Sequence, residues 1–98
     1  MVELHSKNTD RLFQAILALE NADRCYELFE DLCTVKELKE ISQRLEVARL
    51  LAKGMSYQKV SEITNASSAT ISRVKRCLDY GTGGYQWALS IIGTEDEQ

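Results

Sequence analysis

The sequence predicts an all-α protein of six helices, and three observations carry that prediction. Proline is absent from the 98 residues and four of the five glycines occur at or after position 81, so nothing interrupts helical propensity before Gly54. Hydrophobic residues make up 44% and charged residues 28%, an ordinary globular composition. Apolar residues recur at helical intervals. We expect one domain over residues 1–98, too short for an enzyme with a separate cofactor domain.

The first two helices are predicted from apolar stripes behind capping residues. Helix one follows the candidate N-caps Asn8, Thr9 and Asp10 and ends near Glu20. Its apolar stripe consists of Leu12, Phe13, Ile16, Leu17 and Leu19. Helix two is capped by Asn21, stops near Cys33 and repeats the pattern at Cys25, Leu28, Phe29 and Leu32. Both helices therefore have one face to bury.

The third helix is the longest. Thr34 and Glu37 form the S/T-x-x-E pattern of a capping box, and apolar residues follow at helical spacing. Gly54 is expected to end the helix in a left-handed conformation.

Residues 56–78 have the layout of a helix-turn-helix. Ser56 caps a helix of about eight residues, and Asn65, which tolerates a left-handed backbone, supplies the turn. The second short helix begins at Ser67 or Ser68 and runs to about position 78. We expect its apolar residues to pack against those of the first; the residues involved are Val60, Ile63, Ile71, Val74 and Leu78.

The C-terminal part contains one more predicted helix. The tract YGTGGY interrupts the pattern, and the segment QWALSII, residues 86–92, is helical again. Aromatic residues such as Tyr85 and Trp87 are expected to anchor packing there. The resulting organisation is dimerisation helices and a long central helix in 1–54, the helix-turn-helix in 55–79, the C-terminal helix in 80–92 and an acidic tail in 93–98.

Charge is distributed unevenly. The net charge is -3, yet residues 53–78 carry five cations and one carboxylate. A local basic segment of this kind suits contact with phosphates. The candidate residues for phosphate contact are Lys53, Gln58, Lys59, Arg73, Lys75 and Arg76, with support of the recognition helix as the other role of Arg73. Those for base contact are Ser68, Ala69, Thr70 and Ser72, and Ser67 belongs to the DNA-binding set as the residue that opens the helix. The alternative is a solvated helical hairpin with a cationic face.

The run TVKELKEISQRLEVARLLAKGMSYQKVSEITNASSATISRVKRCL, residues 34–78, resembles the core of the tryptophan repressor superfamily, in particular its YerC/YecD branch. The resemblance rests on the capped long helix, the Gly-Met-Ser entry to the motif and SATISR, which resembles the repressor's recognition helix. It implies an intertwined homodimer with two helix-turn-helix heads one DNA turn apart. The function implied is that of a bacterial DNA-binding transcriptional regulator.

The resemblance also raises the question of a tryptophan effector. In the repressor two arginines enclose the indole ring, and Arg44 and Arg73 occupy the matching positions here, with Thr34 matching a threonine beside the pocket. Val74 replaces a glycine and is expected to fill part of the slot. We therefore expect DNA binding without tryptophan, while a tryptophan- or other small-ligand-dependent repressor remains the alternative. Arg44 has a second interpretation as the ion-pair partner of Glu40.

Other functions find little support in the sequence. The three cysteines, Cys25, Cys33 and Cys77, lack metal-site or redox spacing and are interpreted as reduced core or near-core residues. We expect no metal, no cofactor, no enzymatic activity and no membrane segment, with a cytoplasmic location. The expected partners are double-stranded DNA and a second copy of the chain. An alternative of another class is a helical protein-interaction module whose basic face binds an acidic partner.

Overall fold

The structure is a computed structural model that describes residues 5–95, and within that range it contains six α-helices and no strand. The helices are α1 (Lys7–Leu17), α2 (Ala22–Leu32), α3 (Val35–Ala52), α4 (Tyr57–Thr64), α5 (Ser68–Tyr80) and α6 (Gly84–Ile92). The described residues form two compact units that divide between Leu38 and Lys39. The all-α, six-helix prediction is confirmed, and the functional division of the chain into segments stays a prediction.

The first unit contains α1, α2 and the first turn of α3. The N-cap of α1 is Ser6, whose hydroxyl accepts from the backbone N–H of Thr9. The candidates Asn8, Thr9 and Asp10 lie inside the helix, so that prediction was wrong. The prediction for Asn21 is confirmed, since its side-chain oxygen accepts from the Arg24 backbone N–H at 2.9 Å.

The predicted capping box at the start of α3 is present. Thr34 Oγ1 accepts from the Glu37 backbone N–H at 3.0 Å, and Glu37 Oε1 accepts from the Thr34 backbone N–H at 2.8 Å. The hydrogen bond that the Glu37 carboxylate accepts from the Thr34 backbone N–H, and next its bond with the Thr34 side chain, hold the pKa of Glu37 below its usual value. The ionised carboxylate therefore stabilises this helix end.

The second unit is built around the C-terminal half of α3. The buried residues are Val47, Ala48, Leu50, Leu51, Val60, Ala66, Ile71, Val74 and Leu89. They come from α3, α4, the turn after α4, α5 and α6, and Met55, Leu78 and Tyr85 pack against them. This core places α4 and α5 against α3.

Gly54 ends α3 as predicted, with φ +90°. The N–H of Gly54 donates to the Leu51 carbonyl and that of Met55 to the Leu50 carbonyl, at 2.9 and 3.2 Å. This is the Schellman arrangement, in which a left-handed residue lets the chain turn back on the last helical carbonyls. The chain can therefore leave α3 and enter α4 within a few residues.

Several packing predictions were wrong. Cys25 and Cys77 are exposed and Cys33 is intermediate, and all three are free thiols. Trp87 is 69% exposed, so it does not anchor α6 within the chain, whereas Tyr85 packs against the core. Helical spacing puts such residues on an apolar stripe, but only another packed element buries that stripe.

Candidate nucleic-acid interface

Residues 56–78 form two capped helices around a left-handed turn. Ser56 Oγ accepts from the Lys59 backbone N–H at 3.2 Å, and Ser67 Oγ accepts from the Thr70 backbone N–H at 3.1 Å. Asn65, at the C-cap of α4, has φ 61° and ψ 16°. It has the only positive φ among the non-glycine residues of the described chain, 5–95. The predicted helix bounds and turn are confirmed.

The turn is closed by side chains as well as by the backbone. Thr64 Oγ1 donates to the Val60 carbonyl at 2.8 Å and accepts from the Ala66 backbone N–H at 3.1 Å. Ser61 Oγ donates to the Ala66 carbonyl at 3.0 Å. Gln43 Nε2, from α3, donates to the Thr64 carbonyl at 3.0 Å. Sequence reasoning missed this network, and only the small polar residues of the turn could have signalled it.

The apolar contact between α4 and α5 is partly as predicted. Val60, Ile71 and Val74 are almost fully buried, and Leu78 packs against the core. Ile63 is 50% exposed, so its predicted place in this core was wrong. Ala66 is buried instead, because the left-handed turn brings its methyl group back toward the core. The core fixes which faces of α4 and α5 remain accessible.

The residues predicted to contact DNA lie on the accessible faces. Ten of the eleven belong to residues 56–76 and one, Lys53, follows α3. Those classed as exposed are Lys53, Gln58, Lys59, Ser67, Ser68, Ala69, Ser72, Arg73 and Arg76. Thr70 and Lys75 are half-buried. The N-terminal turn of α5 therefore presents only small side chains, with cations in its later turns.

Lys59 and Lys75 each have a carboxylate partner. Lys59 Nζ lies 3.9 Å from Glu62 Oε2 on α4, and Lys75 Nζ lies 3.3 Å from Asp79 Oδ1 on α5. Neither pair was predicted, although i,i+3 and i,i+4 spacing is the usual signal for such contacts. Because exposed ion pairs are weak, both lysines stay available to a phosphate.

A cavity of about 600 Å³ lies beside the interface. It is lined by residues of α3, α5 and α6 and of the loop between the last two: Ile41, Arg44, Leu45, Cys77, Gly81, Thr82, Gly84, Tyr85 and Ala88. Arg44 has no hydrogen bond or ion pair among residues 5–95, so the pair with Glu40 does not form. The lining is otherwise apolar or uncharged, so Arg44 is its single cation.

Arg73 and Val74 do not line this cavity. Arg73 is exposed on α5 and Val74 is buried in the core. Thr34 belongs to the other compact unit, where its hydroxyl serves the capping box. Arg44 therefore lines this cavity without Arg73.

The described residues contain no group of three or more side chains suited to holding a metal ion. None of the helices in residues 5–95 is both long and apolar enough to cross a membrane.

Comparison with known proteins points to one family. The family model for the Trp repressor protein matches residues 7–92. The uncharacterised protein YerC of Bacillus subtilis (strain 168) is 52% identical over 90 residues, which cover 92% of this chain and 86% of YerC.

Two solved structures agree. A crystal structure of a candidate Trp repressor from Staphylococcus aureus is 45% identical with a TM-score of 0.89, covering 96% of this chain and 94% of its own. The crystal structure of a TrpR-like protein from Eubacterium eligens ATCC 27750 is 44% identical with a TM-score of 0.90, and the match covers 96% of this chain and 97% of that protein's chain. With sequence, helix order and backbone all in agreement, this chain belongs to the Trp repressor family.

Proposed function

We propose that the protein is a sequence-specific DNA-binding transcriptional regulator that inserts α5 into the major groove. One observation carries the proposal. Val60, Ile71 and Val74 are buried on one side of the helix-turn-helix, while the accessible side of α5 is polar and basic. Family membership supports a regulator rather than an enzyme. A bacterial protein of this kind acts in the cytoplasm, where the DNA is.

The two ends of α5 have different roles in this proposal. The side chains at the start of α5 are small, so this end of the helix can approach base edges closely. Ser68, Ala69, Thr70 and Ser72 are therefore assigned to base contacts. The backbone N–H groups at the Ser67 cap also favour a nearby phosphate. The longer side chains of Lys53, Gln58, Lys59, Arg73, Lys75 and Arg76 are assigned to phosphates, which position the helix without reading sequence.

The active form in this proposal is a homodimer. No residue of α1 or α2 is buried, although both helices carry apolar stripes. Leu17 is 84% exposed, and Phe13 and Leu32 are each more than half exposed. Apolar faces of this extent mark interaction surfaces in stable proteins. A second copy of the chain covers them, which assigns residues 1–54 to dimerisation and residues 55–79 to DNA.

DNA binding without tryptophan is the form of the proposal that the site supports best. An indole held between Arg44 and Arg73 needs both side chains at one cavity, and only Arg44 lines the cavity found. Val74, buried in the core, leaves less room beside α5 than a glycine. Calorimetric titration with L-tryptophan should therefore give no heat of binding. Micromolar binding together with tighter DNA affinity would overturn this part of the proposal.

A regulator that depends on another small ligand is the second candidate, and the cavity favours it. Arg44 provides one unpaired guanidinium in a largely apolar cavity of about 600 Å³, a size that suits a small molecule. An effector there would change affinity for DNA, and Arg44→Met would abolish that change while leaving binding in its absence intact.

The direct test is selection of duplexes from random DNA with the full chain, followed by mobility-shift titration. We expect an enriched motif with two half-sites about one helical turn apart. Arg76→Gln should lower affinity for every duplex and reduce the salt slope by about one. Thr70→Val should instead change the preferred sequence. If no motif is enriched and affinity is equal for all duplexes, the protein is an interaction module for an acidic partner and the proposal fails.

A further inference from the structure

Gln43 connects the long helix to the turn of the helix-turn-helix. It lies in the middle of α3 and is half-buried. Its Nε2 donates to the carbonyl oxygen of Thr64, the last residue of α4, at 3.0 Å. Carbonyl groups in the last turn of a helix lack intrahelical donors and need partners from elsewhere. Here the donor comes from a helix outside the motif, 21 residues earlier in the chain.

The bonded carbonyl belongs to the residue around which the turn is organised. Thr64 Oγ1 bridges the Val60 carbonyl and the Ala66 backbone N–H, and Asn65 next to it is left-handed. Ser67, three residues after Thr64, is the N-cap of α5. The direction of α5 is therefore determined by the residues between Thr64, whose carbonyl oxygen Gln43 binds, and Ser67.

Apolar packing alone constrains this direction less well. The contacts of Val60, Ile71 and Val74 hold α4 and α5 together, but apolar burial has no directional preference. A hydrogen bond constrains both distance and angle. The bond from Gln43 thus supplies a directional constraint between α3 and the turn that the core lacks.

We propose that Gln43 is a positioning residue for DNA recognition: it orients the start of α5 without touching DNA. This inference rests on the proposed function. Base contacts need a site held within about 0.5 Å, whereas long lysine and arginine side chains reach phosphates from a range of helix orientations. Loss of the bond should therefore reduce discrimination between duplexes more than it reduces binding to DNA in general.

The test uses two substitutions that remove the bond in different ways. Gln43→Met keeps the length of the side chain but has no donor, and Gln43→Asn keeps the amide but is one methylene shorter. The matched control is Lys39→Met, because Lys39 is exposed on α3 and lines the same cleft between α3 and the end of α4. Each full-length variant is titrated with the duplex selected by the native chain and with a random-sequence duplex.

For both Gln43 variants we expect affinity for the selected duplex to fall about three- to tenfold, the factor that one net hydrogen bond represents. Affinity for the random duplex should stay within about twofold, as expected when phosphate contacts dominate nonspecific binding. Lys39→Met removes a charge and should change both affinities by the same factor. The ratio of the two affinities is therefore the decisive measurement.

Amide hydrogen exchange supplies an independent measurement in the absence of DNA. The amides of Asn65 and Ala66 lie in the turn, while that of Val60, which donates to the Ser56 carbonyl at 2.9 Å, lies at the other end of α4. Loss of protection should be confined to the turn amides in both Gln43 variants. A general loss of stability would lower all three together.

Three results would overturn the inference. They are an unchanged ratio of the two affinities, loss of protection at all three amides, and unfolding of both Gln43 variants. If the native chain itself prefers no duplex, the proposed function fails and the inference fails with it. That outcome is distinguishable because it appears before any variant is compared.

Discussion

Asn65 shows how one residue determines the geometry of the interface. Its backbone lies in the left-handed region, which is sterically unfavourable for residues with a Cβ. Asparagine adopts this conformation more readily than most such residues, because its short polar side chain can form local hydrogen bonds. Ala66 follows it into the core and Ser67 caps the next helix. A single backbone conformation therefore connects the end of α4 to the start of the proposed recognition helix.

Replacement of Asn65 should separate this backbone effect from side-chain effects. Asn65→Ala is expected to lower the free energy of unfolding by about 1–2 kcal/mol, the cost of a left-handed conformation for an ordinary residue. Asn65→Gly should retain most of the stability, because glycine adopts this conformation without steric cost. Urea denaturation measures both. Equal losses in the two variants would show that the side chain, not the backbone conformation, matters.

Glu37 should make stability depend on pH. Hydrogen bonds from Thr34, the backbone N–H first, lower its pKa in the folded state below the usual value of 4.5. A lowered folded pKa gives stability that is fully present above 4.5 and is lost as the pH falls through the folded value. Glu37→Gln keeps the capping box but does not titrate. The stability difference between native and variant should shrink on acidification in urea melts, and a constant difference would contradict the assignment.

On both α4 and α5, a lysine lies close to a carboxylate of the same helix. Lys59 pairs with Glu62 and Lys75 with Asp79, so a phosphate that approaches either lysine meets a competing anion on the same helix. The basic surface is therefore weaker than a count of its cations suggests. For the proposed DNA complex, we expect this arrangement to limit nonspecific attraction and to leave more of the affinity to base contacts.

Asp79→Asn should consequently strengthen binding to DNA. Removal of the carboxylate frees Lys75, and since an exposed pair is worth up to about 1 kcal/mol, affinity should rise by no more than about fivefold. The salt slope should become steeper by up to about one counterion. Glu30→Gln on α2 makes the same change in net charge outside the motif and serves as control. If Glu30→Gln has an equal effect, net charge rather than the pair with Lys75 is responsible.

Many large apolar side chains of the described chain are exposed and do not belong to its core. The described core belongs to the second unit, while α1 and α2 of the first have no buried residue. On α6, Trp87 and Ile91 are each more than 60% exposed. Surface of this kind in a chain of 98 residues supports the proposed homodimer, in which a second copy completes the burial.

A charge placed on the α1 stripe should therefore disrupt assembly. Leu17→Lys is expected to shift the protein from dimer to monomer in sedimentation velocity. Each chain loses the burial free energy of one leucine side chain, about 1.5–3 kcal/mol, and the new lysine charge would have to be desolvated in the dimer. Affinity for a two-half-site duplex should drop tenfold or more, with affinity for a single half-site nearly unchanged. Gln14→Lys, exposed on the same helix, is the control. A monomeric native protein, or equal effects at both positions, would count against the dimer.

Local features of this protein were determined by the sequence itself. Asn21, Ser56 and Ser67 act as N-caps, and Thr34 with Glu37 forms the capping box as predicted. These bonds join residues three positions apart, so neighbours in the chain suffice to form them. The separation of charge between residues 53–78 and the rest of the chain is likewise a property of the order of residues.

Long-range features were decided only by the tertiary structure. The bond between Gln43 and Thr64, the exposure of Ile63 and the cavity that Arg44 lines each depend on how α3 lies against elements far along the chain. Helical periodicity shows that a residue lies on an apolar face, but not which face another helix covers. The sequence therefore determined the six helices and the caps of α2, α3, α4 and α5. The packing of α3 against the helix-turn-helix decided which side chains support the proposed interface and which stay accessible.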